Sequence, residues 1–211
     1  MLQNDFTQIL LYYGLSYEEI YEKWWDLLNK YNNKNRFYHN INHLYHLYEK
    51  YNEIYELFND RDRKVLLFTI LYHDIIYNPK QQLNELNSAN YFITEYNKSA
   101  YIPSEIVADL ILKTIRHEKT DSFLYNTFLD MDRAILGESF NLYRFYLMGI
   151  KKEYLTVYSE KTYVKNRIKF LKNLLNKKEI YYTEHFYHKY EKNARENIEV
   201  ELNMLQNVDN K

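Results

Sequence analysis

Only three glycines and two prolines occur in 211 residues. Sandwiches and barrels turn every few residues, and Gly and Pro are the residues that build turns. Their scarcity points to an all-α fold. The length suits one domain with a sizeable core. We read 1–211 as a single compact multi-helix domain, with N-terminal helices over 1–35, a core over 36–140 and C-terminal helices over 141–211 packing on that core.

The most demanding stretch lies inside that core. Apolar or near-apolar residues run from Val65 to Tyr72, and His73 and Asp74 follow directly. A helix so hydrophobic should be buried. An ionisable pair at its end then needs a partner, because a buried unpaired carboxylate is very costly. A divalent metal suits both an imidazole and a carboxylate.

The remaining helices follow from periodicity and caps. Residues 2–13 read as a short helix ended by Gly14. Ser16 and Glu19 form a capping box for a helix reaching about Tyr31, with Ile20, Trp24, Leu27, Leu28 and Tyr31 on one face. Residues 32–38 are a polar loop, and Asn40 or Asn42 opens a helix over 41–58. Asn59 or Asp60 caps the central helix, which the spacing extends to about Tyr77, before Asn78-Pro79. Asn84 or Asn87 begins a helix to about Tyr96, and Pro103 fits the first turn of one to about Glu118. Asp121 or Ser122 caps a helix carrying Asp130 and Asp132, with Gly137 as a C-cap. Helices over 139–157 and 160–176 precede a last one, from Thr183 as N-cap to about Leu205.

Composition excludes several functions. The charges nearly cancel, 28 basic against 29 acidic, so no footprint for tracking a nucleic-acid backbone is present. The 25 tyrosines are spread along the whole chain, which fits compositional bias better than a stacking platform for bases. Cysteine is absent, excluding disulfides, thiolate metal sites and cysteine nucleophiles. No apolar run approaches the ~18 residues of a membrane span, and MLQNDFTQ lacks a signal-peptide pattern. The expectation is a cytoplasmic protein with no membrane partner. Three glycines could hardly build a P-loop, a Rossmann turn or a nucleophile elbow.

His43, His73-Asp74 and Asp132 then stand out, each within or beside an apolar stripe. Two imidazoles and two carboxylates balance a divalent cation, and the imidazoles favour Mn, Fe, Co, Ni or Zn over Mg. Four protein ligands leave positions open for a water and a phosphate oxygen.

The order His … His-Asp … Asp on successive helices resembles the HD superfamily of metal-dependent phosphohydrolases. Tyr38-His39-Asn40-Ile41-Asn42-His43 is similar to the YHNxxH opening of a bacterial branch described as predicted HD phosphohydrolases. Further matching words are Tyr72-His73-Asp74-Ile75-Ile76-Tyr77, Asn84-Glu85 with Ser88-Ala89, Leu129-Asp130-Met131-Asp132 with Ile135-Leu136-Gly137, and Glu153-Tyr154. The resemblance runs from about residue 36 to 200.

That resemblance implies metal ligation by His43, His73, Asp74 and Asp132. It prefers Asp132 to Asp130 because Met131-Asp132-Arg133 fits the family's pattern, and His43 to His39 because His43 opens the run His43-Leu44-Tyr45-His46-Leu47. Asp74, Glu85 and His117 are the catalytic candidates. Glu85 would orient the attacking water or act as general acid; its alternative is a solvated acid in a helix first turn. His117 would face a second metal or the phosphate; its alternative is a structural histidine. His39 and Arg116 are candidates for substrate binding, and His39 for holding Asp74 in place. Arg36, Lys113, Arg167 and Arg195 are either substrate contacts or structural.

The expected activity is hydrolysis of a phosphate ester or anhydride of a nucleotide or similar small phosphorylated molecule by metal-activated water. The rival is a non-catalytic metal- or nucleotide-binding helical module. A homo-oligomer is compatible with either.

Overall fold

The computed structural model describes residues 1–96 and 101–209. Among them there are ten α-helices and no strand, as the shortage of turn residues leads one to expect. No helix among the described residues is long and apolar enough to cross a membrane. The chain divides into two compact units, Met1–Glu118 and Lys119–Lys211.

The first unit holds α1 (Leu2–Tyr12), α2 (Tyr17–Tyr31), α3 (Ile41–Ile54), α4 (Asp60–Tyr72), α5 (Asn84–Tyr96) and α6 (Ser104–Lys113). Local signals set most of their starts. Ser16 and Glu19 form both halves of the capping box on α2. Asn40 accepts from the Asn42 N–H to cap α3, and Asn59 from the Asp62 N–H to cap α4. Gly14, at φ 85°, ends α1. The Leu15 N–H reaches back to Leu10 and the Gly14 N–H to Leu11, satisfying carbonyls of the last turn.

α4 is the axis of this unit and packs against α1, α3, α5 and α6. Every residue from Lys64 to Tyr72 is buried, so the helix has no solvent face beyond its first turn, as its composition demands. Tyrosine serves here as a core residue with a polar tip. The Tyr72 and Tyr96 hydroxyls satisfy each other at 2.7 Å, while the Phe68 and Phe92 rings fill the space around them.

Three helix ends differ from the periodicity. α3 stops at Ile54 and tightens into a 3-10 turn over Tyr55–Leu57. α4 stops at Tyr72, so His73 and Asp74 lie just past it rather than inside it. The peptide groups beyond take other partners: Arg36 donates to the Asp74 and Ile75 carbonyls, and the Ile76 N–H donates to Ser88 Oγ. α6 stops at Lys113, where the Thr114 hydroxyl and N–H both turn onto the Ile111 carbonyl.

The second unit holds α7 (Phe123–Arg133), α8 (Phe140–Tyr154), α9 (Glu160–Leu175) and α10 (Glu184–Asp209), with a 3-10 turn over Ala134–Gly137 after α7. Ser122 caps α7. α10 packs on that turn, on α9 and on α7. Gly137 is not a left-handed cap. A Cβ there would lie 2.5 Å from the Tyr190 carbonyl oxygen, so glycine lets α10 approach. Arg167 of α9 forms a buried two-point pair with Glu201 of α10, and donates to the Tyr146 hydroxyl of α8. It is structural, one of the two readings open for it.

Candidate metal centre

Two segments of the first unit bring the donors together. His43 lies in the first turn of α3, which begins at Ile41, and His73 caps the end of α4. α3 packs on α4, and both imidazoles are buried. Their Nε2 atoms lie 3.1 Å apart. Asp74 Oδ2 is 3.2 Å from His73 Nε2 and 3.8 Å from His43 Nε2.

The proton positions follow from the acceptors. His73 Nδ1 lies 3.0 Å from the Ile70 carbonyl oxygen, which can only accept, so Nδ1 carries the hydrogen. A neutral His73 therefore presents the Nε2 lone pair to the Asp74 carboxylate. Lone pair facing lone pair at that distance repels. A proton on Nε2 or a cation among the three donors removes the repulsion. The tautomer held by the Ile70 carbonyl is the one a metal requires, and the cluster could hold a metal ion.

Electrostatics favour an ionised Asp74. Burial acts to raise its carboxyl, but positive charge on the imidazoles of His73, His39 and His43, with a hydrogen bond from His73, outweighs this and holds it well below the usual carboxylate range. Its negative charge in turn helps burial push the Tyr31 hydroxyl well above the usual phenol value.

The words around these residues serve to position them. Asn84 binds the Asn78 N–H through Oδ1 and the Asn78 carbonyl through Nδ2, and Ser88 Oγ binds both the N–H and the carbonyl of Ile76. Together they pin the loop after His73-Asp74 onto α5. His39, half-buried before α3, stacks on Tyr77 with ring centroids 4.3 Å apart, and its edge meets the His43 ring.

The two acids of α7 have different surroundings within the second unit. Asp130 is fully buried and accepts from the Tyr182 and Thr183 N–H groups and the Thr183 hydroxyl. It thereby fastens the start of α10. Burial raises its carboxyl to about 6, with the Thr183 hydroxyl and the two N–H donors opposing that rise. Asp132 is half-buried one position before the end of α7.

Three further candidates lie at helix ends. Glu85 sits half-buried in the first turn of α5 and makes no hydrogen bond or ion pair among the described residues. Arg116 and His117 lie beyond α6, not within it. Arg116 is exposed, while His117 is half-buried in the left-handed region at φ 49°. Such a backbone costs a non-glycine residue about 1–3 kcal/mol and recurs at functional sites.

Arg36 was open between a substrate contact and a structural role, and the structure makes it internal. It is buried under the turn that carries Asp74. Its sequence neighbourhood reads as a polar loop, and only contacts to residues 38 and 39 positions away reveal its role.

No protein-family model, curated protein or solved structure matches the chain.

Proposed function

We propose that this chain is a metal-dependent phosphohydrolase of the HD type, acting on a phosphate ester or anhydride of a nucleotide or similar small phosphorylated molecule. The observation that carries the reading is the convergence of the buried His43 and His73 Nε2 atoms with the half-buried Asp74 carboxylate. The resemblance of the motif words further implies Asp132 as a ligand. Two buried imidazoles and a half-buried carboxylate have the composition a divalent transition-metal ion prefers. Asp130 is set aside because its oxygens already serve Tyr182 and Thr183.

When bound, a divalent ion supplies two things: a more acidic water and a polarised phosphoryl oxygen. The protein's own groups do the rest. The Ile70 carbonyl keeps the His73 lone pair on Nε2. Asp74 provides negative charge to balance the cation. His39, steadied on Tyr77, donates a hydrogen bond to a phosphate oxygen. Glu85 exchanges a proton with the leaving group or the attacking water, as its half-buried place allows. His117 and Arg116 neutralise charge on the phosphoryl group. The nucleotide class rests on the resemblance of the motif words alone.

Metal analysis of the purified protein, with phosphate release from a panel of nucleotides and sugar phosphates, tests this. Turnover that needs added Mn, Co or Ni and disappears in a folded Asp74→Asn variant supports it. A metal-loaded protein inert on the whole panel leaves the second reading, a binding module.

A further inference from the structure

Arg36 joins the two chain segments that carry the histidine and aspartate donors. Its Nη1 donates to the His39 carbonyl at 3.1 Å and to the Asp74 carbonyl at 2.7 Å. Its Nη2 donates to the Ile75 carbonyl at 2.9 Å. The first of these carbonyls belongs to the segment that runs into α3 and His43. The other two belong to the turn just after His73. One guanidinium therefore sets the distance between them.

The way its charge is accommodated is unusual. The side chain is buried, yet among the described residues it makes no ion pair. Carbonyl oxygens surround it, and the guanidinium lies over the Tyr31 ring at 4.8 Å and the Tyr77 ring at 5.5 Å. A buried cation without a carboxylate partner is a costly element for stability alone. Only a planar fork with several fixed donors can bridge three carbonyls of two segments at once. A lysine ammonium, a point charge on a flexible stem, cannot reproduce that geometry. Tyr77 also stacks with His39, so the guanidinium and the imidazole next to Asp74 share one aromatic support.

We infer that Arg36 is a positioning residue for the metal ligands: it holds the His39–His43 segment and the His73-Asp74 turn at the separation a cation needs. This rests on the metal-site reading above. Partners that orient ligands in this way typically change metal affinity roughly 10- to 100-fold when removed.

The test uses the full chain with Co2+ as probe, and compares wild type, Arg36→Met and Arg36→Lys. Cobalt affinity is measured by calorimetry, its coordination by visible absorption, and the metal-free fold by circular dichroism and Tm. The expected result is a cobalt Kd roughly 10- to 100-fold weaker in both variants, with an altered visible spectrum, at a temperature where both are folded. An arginine that merely supports the fold would lower Tm and leave the cobalt Kd and spectrum unchanged, and that result overturns the inference. Should Arg36→Met fail to fold, Arg36→Lys, which keeps the charge and loses the fork, decides alone. A wild type that binds no cobalt removes the metal reading itself. A wild type that binds it as well as both variants do removes only the role of Arg36.

Discussion

The Nε2 atoms of His43 and His73 face each other at 3.1 Å, inside the packing of α3 on α4. The Asp74 carboxylate lies 3.2 Å from the second ring, and a cation among these three groups would relieve the repulsion between the carboxylate and the His73 lone pair. A divalent ion that binds only the folded chain adds stability, about 2.7 kcal/mol at a concentration 100 times its Kd. In a protein of this size that corresponds to a Tm increase of roughly 5–11 °C. Thermal unfolding with Mn, Co or Ni, and again after chelation, should show the rise and its reversal. No rise at millimolar metal would mean that a proton, not a cation, occupies the cluster.

Asp130 and Asp132 should separate stability from metal binding. Asp130→Asn places an amide N–H among the donors of Tyr182 and Thr183, leaving buried groups without an acceptor. The expected loss is on the order of 2 kcal/mol in urea unfolding. Asp132→Asn should change stability by less than about 1 kcal/mol and abolish tight binding of Co2+. The reverse pattern would exchange the roles assigned to the two acids.

How much of this was legible in the residues depends on the range of the contact involved. The capping box of Ser16 and Glu19, the Asn caps of α3 and α4 and the Gly14 ending are made within a few residues, and the local pattern is enough to find them. Burial of α4 was equally plain, because a run such as Val65–Tyr72 has no polar face to offer water. The end of α4 was not. It is set by Arg36 and Ser88, which reach the turn from 39 and 12 residues away, so the helix appeared to continue towards Pro79. Asp130 is the same kind of case. Its partners at Tyr182 and Thr183 lie 52 and 53 residues on, and nothing beside it hints that its oxygens are engaged.

Alkaline pH should weaken the fold through its buried phenols. Burial, with the help of the Asp5 carboxylate, raises Tyr48 to about 12, and burial raises Tyr163 to about 12. An unfolded tyrosine ionises near pH 10. Below that value both states keep the proton and the stability is complete. Between pH 10 and 12 the unfolded state ionises first, so stability falls until the folded phenols ionise too. Tm measured from pH 8 to 12, alongside phenolate absorbance, should stay level to about pH 10 and then decline steeply. Phenolate forming gradually through pH 10 with an unchanged Tm would contradict these shifts.

The two glycines that shape the helix ends should respond to alanine for opposite reasons. At Gly14 nothing lies within 4 Å of an added Cβ, but φ is 85°, which a side chain rarely adopts. Gly14→Ala should therefore cost about 1–2 kcal/mol through backbone strain, with no change in packing. At Gly137 the backbone is ordinary and the space is absent: a new Cβ would meet the Tyr190 carbonyl oxygen at 2.5 Å and its Cβ at 2.6 Å. The obstacle is the body of α10, not a flexible side-chain tip, so the helix itself must shift. Gly137→Ala should cost about 1–3 kcal/mol or more. A displaced α10 also strains the Asn197 side-chain bonds to the Leu136 and Glu138 carbonyls. Urea unfolding of the two variants, with amide exchange at residues 136–138, distinguishes the mechanisms. Faster exchange should accompany Gly137→Ala and be absent in Gly14→Ala. Equal costs with unaltered exchange would mean that α10 does not press on Gly137 in solution.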